Sequence, residues 1–303
     1  MTKRVLVVLA IGVAVSTPAI GFAWGDVGHR ITGEAAANTL PWGIPAFFRT
    51  AARQLAYLNP EPDRWRDRGE RALDPALEGA TSPDHFIDME MASAAVLAAA
   101  LRAPNRYAYL DTLARAGVNG VGMGMLPFKM LELSQQLRED FRLWRAASDS
   151  TRPWIEARII DDAGILGHYV ADGSNPAHTS IHYNGWTGPN PNGYATDRSF
   201  HSRFESSYVG ANVRLADVAA KLDTLAHVLP DLRSGIIAYL AATNRETERL
   251  YQLDKAHAFD ASTTAVENKD FAVARLAAGA RMLRDIWWTA WVTSGAPAVT
   301  PGH

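Results

Sequence analysis

Histidine and a carboxylate recur four residues apart in His168 with Asp172 and in His201 with Glu205. On a helix that spacing projects two side chains from one face, near enough to share a ligand. A further pair, His227 with Asp231, encloses Pro230 and reads as accidental. With 9 His and 32 acidic residues in 303, about one such pair is expected by chance, so each pair alone reads equally as a surface or capping contact. Accumulation is the stronger signal. His168, Asp172 and His178 lie within eleven residues, and Asp84-His85 and His201 flank irregular segments. Imidazole and carboxylate are the ligands that suit zinc when thiolates are missing. The chain has no cysteine, which excludes disulfides, thiolate metal sites and cysteine nucleophiles.

Residues 1–23 have the order of a secretory leader: Lys3 and Arg4, an apolar run from Val5 to Val15, and Gly21-Phe22-Ala23 as a small-x-small cleavage site. The apolar run is shorter than the ~20 residues that span a bilayer, so cleavage before Trp24 and a secreted or periplasmic product are expected, with no stable membrane span. Cleavage would free the Trp24 α-amine, whose ordinary pKa is roughly 7.7–8.0. That amine and the Trp24 carbonyl could chelate a metal together with His29, across a glycine-containing turn. Without Lys3 and Arg4 the chain carries 28 basic against 32 acidic residues. No broad basic surface follows, and attraction for an anionic substrate must come from a local source such as metal ions.

The elements that position these residues read as helices. Composition is that of an ordinary globular chain, 48% hydrophobic and 20% charged, with no internal repeat or domain boundary, so residues 24–303 are expected to form one domain. Strand-type alternation is scarce, while Ala, Leu and Arg recur at helical spacing. The fold class is therefore all-α, with helices predicted at 26–39, 42–57, 92–102, 105–117, 126–147, 153–172, 203–228, 231–252 and 264–292. In the last, Val273, Leu276, Ala280, Leu283, Trp287 and Trp291 form a stripe expected to be core. Segments 59–83 and 173–199 are rich in turn formers and are expected to be irregular.

Several of these segments resemble one superfamily. WGDVGHR (24–30) resembles the mature start of the three-zinc single-strand nucleases of the S-one/P-one type, and DHFIDME (84–90) is similar to their His-Phe-Ile-Asp segment. Asp63 and Arg66 in PDRWR (62–66) are similar to their Asp-x-x-Arg, although the gap to His85 is longer and Asp67 or Asp74 could compete. LGHYVADGSNPAH (166–178) carries the shared His-x3-Asp-x5-His core. FHSRFES (200–206) resembles instead the bacterial zinc-dependent phospholipases C, which end in His-x3-Glu where the nucleases have His-x3-Asp. RLAAGARMLRDIW (275–287) is similar to the closing helix of both branches. The Gly-Gly-Asn stretch that follows the third core histidine in the nucleases is replaced here by Thr179 to Asn184.

The resemblance implies a helical bundle with a trinuclear zinc cleft. One Zn2+ would use Asp63, His85, His168 and Asp172, a second the Trp24 amine and carbonyl with His29 and a bridging Asp172, and a third His178, His201 and Glu205. It further implies that Asp63 orients the attacking water, that Arg66 stabilises the pentacoordinate phosphate, and that Phe86 stacks on a base whose edge Asp88 binds. The bland alternatives are a surface ion pair for Arg66 and core or turn-capping roles for Phe86 and Asp88. The expected function is a monomeric nuclease acting on single-stranded nucleic acid or nucleotides. The alternatives are a phospholipase C acting on phosphatidylcholine-type lipids, with Tyr183, Trp186 and Tyr194 at the lipid, and a non-catalytic helical protein with structural zinc.

Overall fold

The computed structural model describes residues 24–295, and the leader predicted at 1–23 lies outside them. The principal helices are α1 (Gly25–Asn38), α2 (Ala52–Leu58), α3 (Ala94–Leu101), α4 (Arg106–Arg115), α5 (Leu126–Ala146), α6 (Arg152–Asp172), α7 (Leu232–Asn244), α8 (Thr247–Ala256) and α9 (Val266–Thr293). Among the described residues no strand forms, so the chain is all-α as its periodicity predicts. No helix among them is long and apolar enough to cross a membrane.

Where the apolar period runs unbroken, expectation and structure agree to within a residue or two, as in α1, α5, α6 and α9. Of the stripe expected to be core, Val273, Leu276, Ala280, Leu283 and Trp287 are buried to 2% exposure or less, while Trp291 is only half-buried, at the edge of the core under the Arg145 guanidinium. The stripe places α9 against α1, α5 and α6, the helices that frame the interior. Phe48 meets Trp287 and Phe141 edge to face, with ring centroids 5.3 and 5.6 Å apart, contacts worth about 0.5–1.5 kcal/mol each beyond burial.

Other predicted helices break. The one expected over 42–57 forms as Ala46–Arg49 and α2, separated at Thr50 and Ala51, where Ala51 leaves helical geometry (φ −88°, ψ 13°) and its N–H donates to Phe48 O at 3.2 Å, a tighter turn than the helical ladder. The one expected over 231–252 divides into α7 and α8 at a tight turn in which Glu246 N–H donates to Thr243 O at 3.0 Å. The one expected over 203–228 is replaced by a wide π-type turn at Arg203–Tyr208 and short helices Val209–Asn212 and Leu215–Ala219, separated by an extended Val213. The stretch 59–83, expected to be irregular, contains short helices at Glu61–Arg64, Arg68–Leu73 and Ala76–Thr81. The last two bury no residue, so they carry no apolar period that a sequence reading could detect.

Candidate metal centre

The last turn of α6 carries His168 and Asp172, both fully buried. Asp172 is the final helical residue, a carboxylate at the negative end of the helix dipole and out of reach of water, where ionisation is disfavoured twice over. Imidazoles surround it. Its Oδ2 lies 3.1 Å from His85 Nδ1 and 3.3 Å from His168 Nε2, while its Oδ1 lies 3.4 Å from His29 Nε2 and 3.9 Å from His178 Nδ1.

These histidines come from four segments: His29 from α1, His85 from the 3-10 turn Ser82–His85, His168 from α6, and His178 from the turn Pro176–His178. Asp84 fixes the second of these by pairing with Arg106 (2.9 Å) and Lys129 (3.6 Å). His201 and Glu205 complete the set across the wide turn, 2.6 Å apart. Among the described residues, three groups present ligand atoms close enough together to hold a metal ion: His29, His168 and Asp172; Asp63, His85 and His168; and His178, His201 and Glu205.

Hydrogen bonds from outside the groups set the imidazole orientations. His29 Nδ1 bonds Asn59 Oδ1 (3.2 Å), His168 Nδ1 the Asn59 carbonyl (3.0 Å), His178 Nδ1 the His85 carbonyl (2.7 Å) and His201 Nδ1 the Tyr183 carbonyl (3.0 Å). In the first three the acceptor selects the Nδ1–H tautomer and leaves the Nε2 lone pair for another partner, the arrangement that orients metal-binding histidines, while His201 also turns its Nε2 to Glu205 Oε2 at 2.6 Å. His85 departs from this pattern, with Nδ1 toward Asp172 and a buried Nε2 that has no hydrogen-bond partner. Both Asp63 carboxylate oxygens are likewise buried and unbonded. Orphaned acceptors among tautomer-locked imidazoles are a donor set that fits a divalent cation.

The titration shifts have the same origin. Burial, opposed by Arg66, pushes the Asp63 carboxyl up to about 8. Burial, reinforced by the charges of Asp63 and Glu205, holds Asp172 well above the usual carboxylate range. Burial also drives His85 and His168 well below, and His178 below, the ordinary imidazole value. In His201 and Glu205 burial is outweighed by their mutual attraction, so the histidine is raised and the glutamate lowered, as in an ion pair.

Asp63, rather than its competitors, joins the cluster. Asp67 caps Arg68–Leu73 by accepting from Gly69 and Glu70 N–H, and Asp74 accepts from Ala76 N–H at 2.8 Å, both at the surface. Arg66 Nη1 lies 3.6 Å from Asp63 Oδ1. The buried Trp24 ties the start of the described chain to the end of α6, its indole donating to Ala171 O (2.7 Å) and Ser174 Oγ (3.0 Å). Its main-chain nitrogen donates to Glu205 Oε2 at 2.9 Å, and its carbonyl accepts from Gly28 N–H at 3.0 Å.

A cleft of about 560 Å3 opens over these groups, lined by His85, His178, His201 and Glu205 and by Arg66, Phe86 and Asp88. Its volume falls within the ligand-pocket range of about 300–1,000 Å3. The segment after His85 alternates: Ile87 enters the core while Phe86, half-buried, and Asp88 face the cleft. Asp88 does not cap the turn that follows it; its Oδ1 is buried without a hydrogen-bond partner, and burial, with Glu90 nearby, raises its carboxyl to about 7. Gly124 permits this path, since at φ +93° a Cβ there would lie 2.1 Å from the Phe86 carbonyl oxygen. Of the loop aromatics, Tyr194 is buried and Trp186 stacks on His182 at 3.8 Å, leaving Tyr183, 46% exposed, at the cleft.

Asn59 and Asn175 are site residues that the sequence reading passed over. Asn59 bonds two imidazoles, and Asn175 Nδ2 donates to Glu205 Oε2 at 3.3 Å. Gly167 on α6 makes room for Asn59: a Cβ there would lie 2.2 Å from Asn59 Nδ2 and 3.2 Å from Leu283 Cδ2. Gly167→Ala is expected to cost about 1–3 kcal/mol by overpacking and to release His29 and His168 from their shared tether. A denaturation midpoint unchanged from wild type would contradict this packing account.

Fold and site together define an all-helical chain whose interior offers several His, Asp and Glu groups that could hold a metal ion. Compared with protein families, with curated proteins and with solved structures, the chain finds no match.

Proposed function

We propose that the chain is an exported, monomeric, zinc-dependent phosphodiesterase of the nuclease and phospholipase C superfamily, hydrolysing single-stranded DNA or RNA and 3′-nucleotides with three Zn2+. The observation that carries this reading is Asp172, fully buried, with one carboxylate oxygen toward His85 and His168 and the other toward His29 and His178. Asp63, His85, His168 and Asp172 would hold one ion. Trp24, as an amine after leader removal, would hold a second with His29 and Asp172, and His178, His201 and Glu205 a third. Zinc held by these residues would supply Lewis-acid polarisation of a phosphoryl oxygen and a water acidified to a pKa of about 7, which suits hydrolysis at neutral pH.

The chain's own residues supply the rest. Asp63 has unbonded carboxylate oxygens with which to orient the attacking water, and Arg66 beside it offsets charge gathering on the phosphoryl oxygens. Phe86 offers a face on which a base can stack, an interaction worth ~1–3 kcal/mol and tolerant of sequence. Asp88, whose carboxyl burial raises to about 7, can accept from the base edge as a carboxylate or donate to it as an acid. The phospholipase C reading draws on Glu205 at the end of His-x3-Glu and on Tyr183 at the cleft.

The test is to mature the protein at Trp24, count bound zinc, and assay single-stranded nucleic acid beside phosphatidylcholine. Zinc-dependent release of nucleotides is expected. A zinc-loaded protein inactive on DNA and RNA refutes the nuclease reading, and diacylglycerol release establishes the lipid one instead. One residue added before Trp24 is expected to lower the zinc count by one; an unchanged count and activity would remove the amine from the ligand set.

A further inference from the structure

We propose that Arg198 forms a second phosphate-binding position in the cleft, next to the phosphate that is cut, so that the site selects a strand with consecutive phosphates over an isolated diester. This rests on the nuclease reading and adds to it a preference for polymer over dinucleotide.

Two arginines line the cleft, and they differ in what they are bound to. Arg66 stands at the Asp63 group, 3.6 Å from that carboxylate, with its Nε buried and without a hydrogen-bond partner. Arg198, exposed, stands three residues before His201 and makes no ion pair or hydrogen bond with any described residue. The acid beside it is already occupied: Asp197 accepts from Ser199 N–H at 3.2 Å and lies 3.7 Å from Arg203. All the Arg198 guanidinium donors are therefore available to a ligand in the cleft.

The base of Arg198 is fixed although its tip is not. Phe200 stacks on Tyr251 with centroids 4.2 Å apart, and His201 N–H donates to Asn184 Oδ1 at 3.2 Å. Trp186 N–H donates to Ala195 O at 2.8 Å, and Gly185 at φ +96° lets the loop press on Thr196, where a Cβ would lie 2.7 Å from the Thr196 carbonyl carbon. The anchored backbone fixes where the guanidinium can reach, and guanidinium matches phosphate oxygens in bidentate geometry. One phosphate among the metal groups with Arg66 leaves Arg198 without a task; a strand's neighbouring phosphate gives it one.

The probes are thymidine dinucleotide and trinucleotide with phosphorothioate linkages, titrated at several salt concentrations into zinc-loaded wild type, Arg198→Ala and Arg198→Lys. Wild type is expected to bind the trinucleotide about tenfold tighter than the dinucleotide, the scale of a charge-assisted contact. Arg198→Ala should erase that difference and leave the dinucleotide Kd within about twofold, and it should reduce the salt slope for the trinucleotide by about 0.7, one phosphate contact on a single strand. Arg198→Lys should restore part of both, and unchanged zinc content reports an intact fold. Equal weakening of both probes, or no length preference in wild type, overturns the proposal. Binding that follows this pattern in a protein that cuts no nucleic acid would leave the phosphate position standing and sink the nuclease reading; cutting without the pattern would do the reverse.

Discussion

Asp172→Asn is expected to reduce hydrolysis of single-stranded nucleic acid by more than about a thousandfold, beyond the roughly 10–100-fold typical of losing a residue that only orients a ligand. Asp172 faces His85 and His168 with one oxygen and His29 and His178 with the other, so an amide removes a ligand from two of the proposed ions at once. Bound zinc should fall by more than one ion. The asparagine is also neutral, so the metal-free protein no longer buries a carboxyl at the negative end of α6, and its stability near pH 8 should match or exceed that of metal-free wild type. Elemental analysis, activity and a denaturation curve on one preparation check all three. Wild-type activity in the variant would dismiss the pivot.

The second large effect concerns pH in chelated protein. Asp63 is raised to about 8 and Asp172 well above the carboxylate range. In the unfolded chain both ionise near pH 4, so from there to about 8 the metal-free fold retains protons that the unfolded chain has released, and stability falls as pH rises. His85, His168 and His178 act oppositely, an effect that fades from about 6.5, where the unfolded imidazole is half protonated, and is spent by about 7.5. His201 is raised by Glu205, so its contribution is lost as pH climbs through its folded value. From pH 6.5 to 8 the three lowered histidines therefore add back only about 0.4 kcal/mol each, less in sum than the two carboxyls lose. Chelated protein should lose about 2 kcal/mol for each proton retained across that interval. Zinc bound as proposed would displace the same protons and bind more tightly as pH rises, so the loaded protein should show no such loss. Denaturation at both pH values, with and without chelator, decides the matter: metal-free protein at least as stable at pH 8 as at 6.5 would contradict this account of the buried carboxyls.

Both effects follow from one feature of the interior. A fold that gathers Asp63, Asp172 and Glu205 with five imidazoles is poorly satisfied without cations, and the orphaned atoms of Asp63 and His85 mark where. The same tension separates this centre from ordinary ion pairs elsewhere in the molecule, such as Arg115 with Asp111, where the charges are matched and water is near.

Several things were legible in the residues alone. Helices α1, α5, α6 and α9 were, because an unbroken apolar period is a local property that survives packing. The pairings of His168 with Asp172 and of His201 with Glu205 were, because four-residue spacing along a helical path is also local, even where the path widens to a π-type turn. Other features waited for the tertiary structure. Asp63, Asp67 and Asp74 are alike in sequence, and only packing of Glu61–Arg64 beneath α6 buries the first while the others cap surface turns. Asn59 and the carbonyls of His85 and Tyr183 set imidazole tautomers, yet an asparagine beside a proline or a main-chain oxygen carries no mark of that role. Arg198 was one arginine among many until the loop from Thr179 to Ser199 folded it into the cleft wall. The physical reason is common to all three: periodicity and capping act over a few residues, whereas a ligand sphere is assembled from groups as far apart as Trp24 and Glu205, and only packing brings them together.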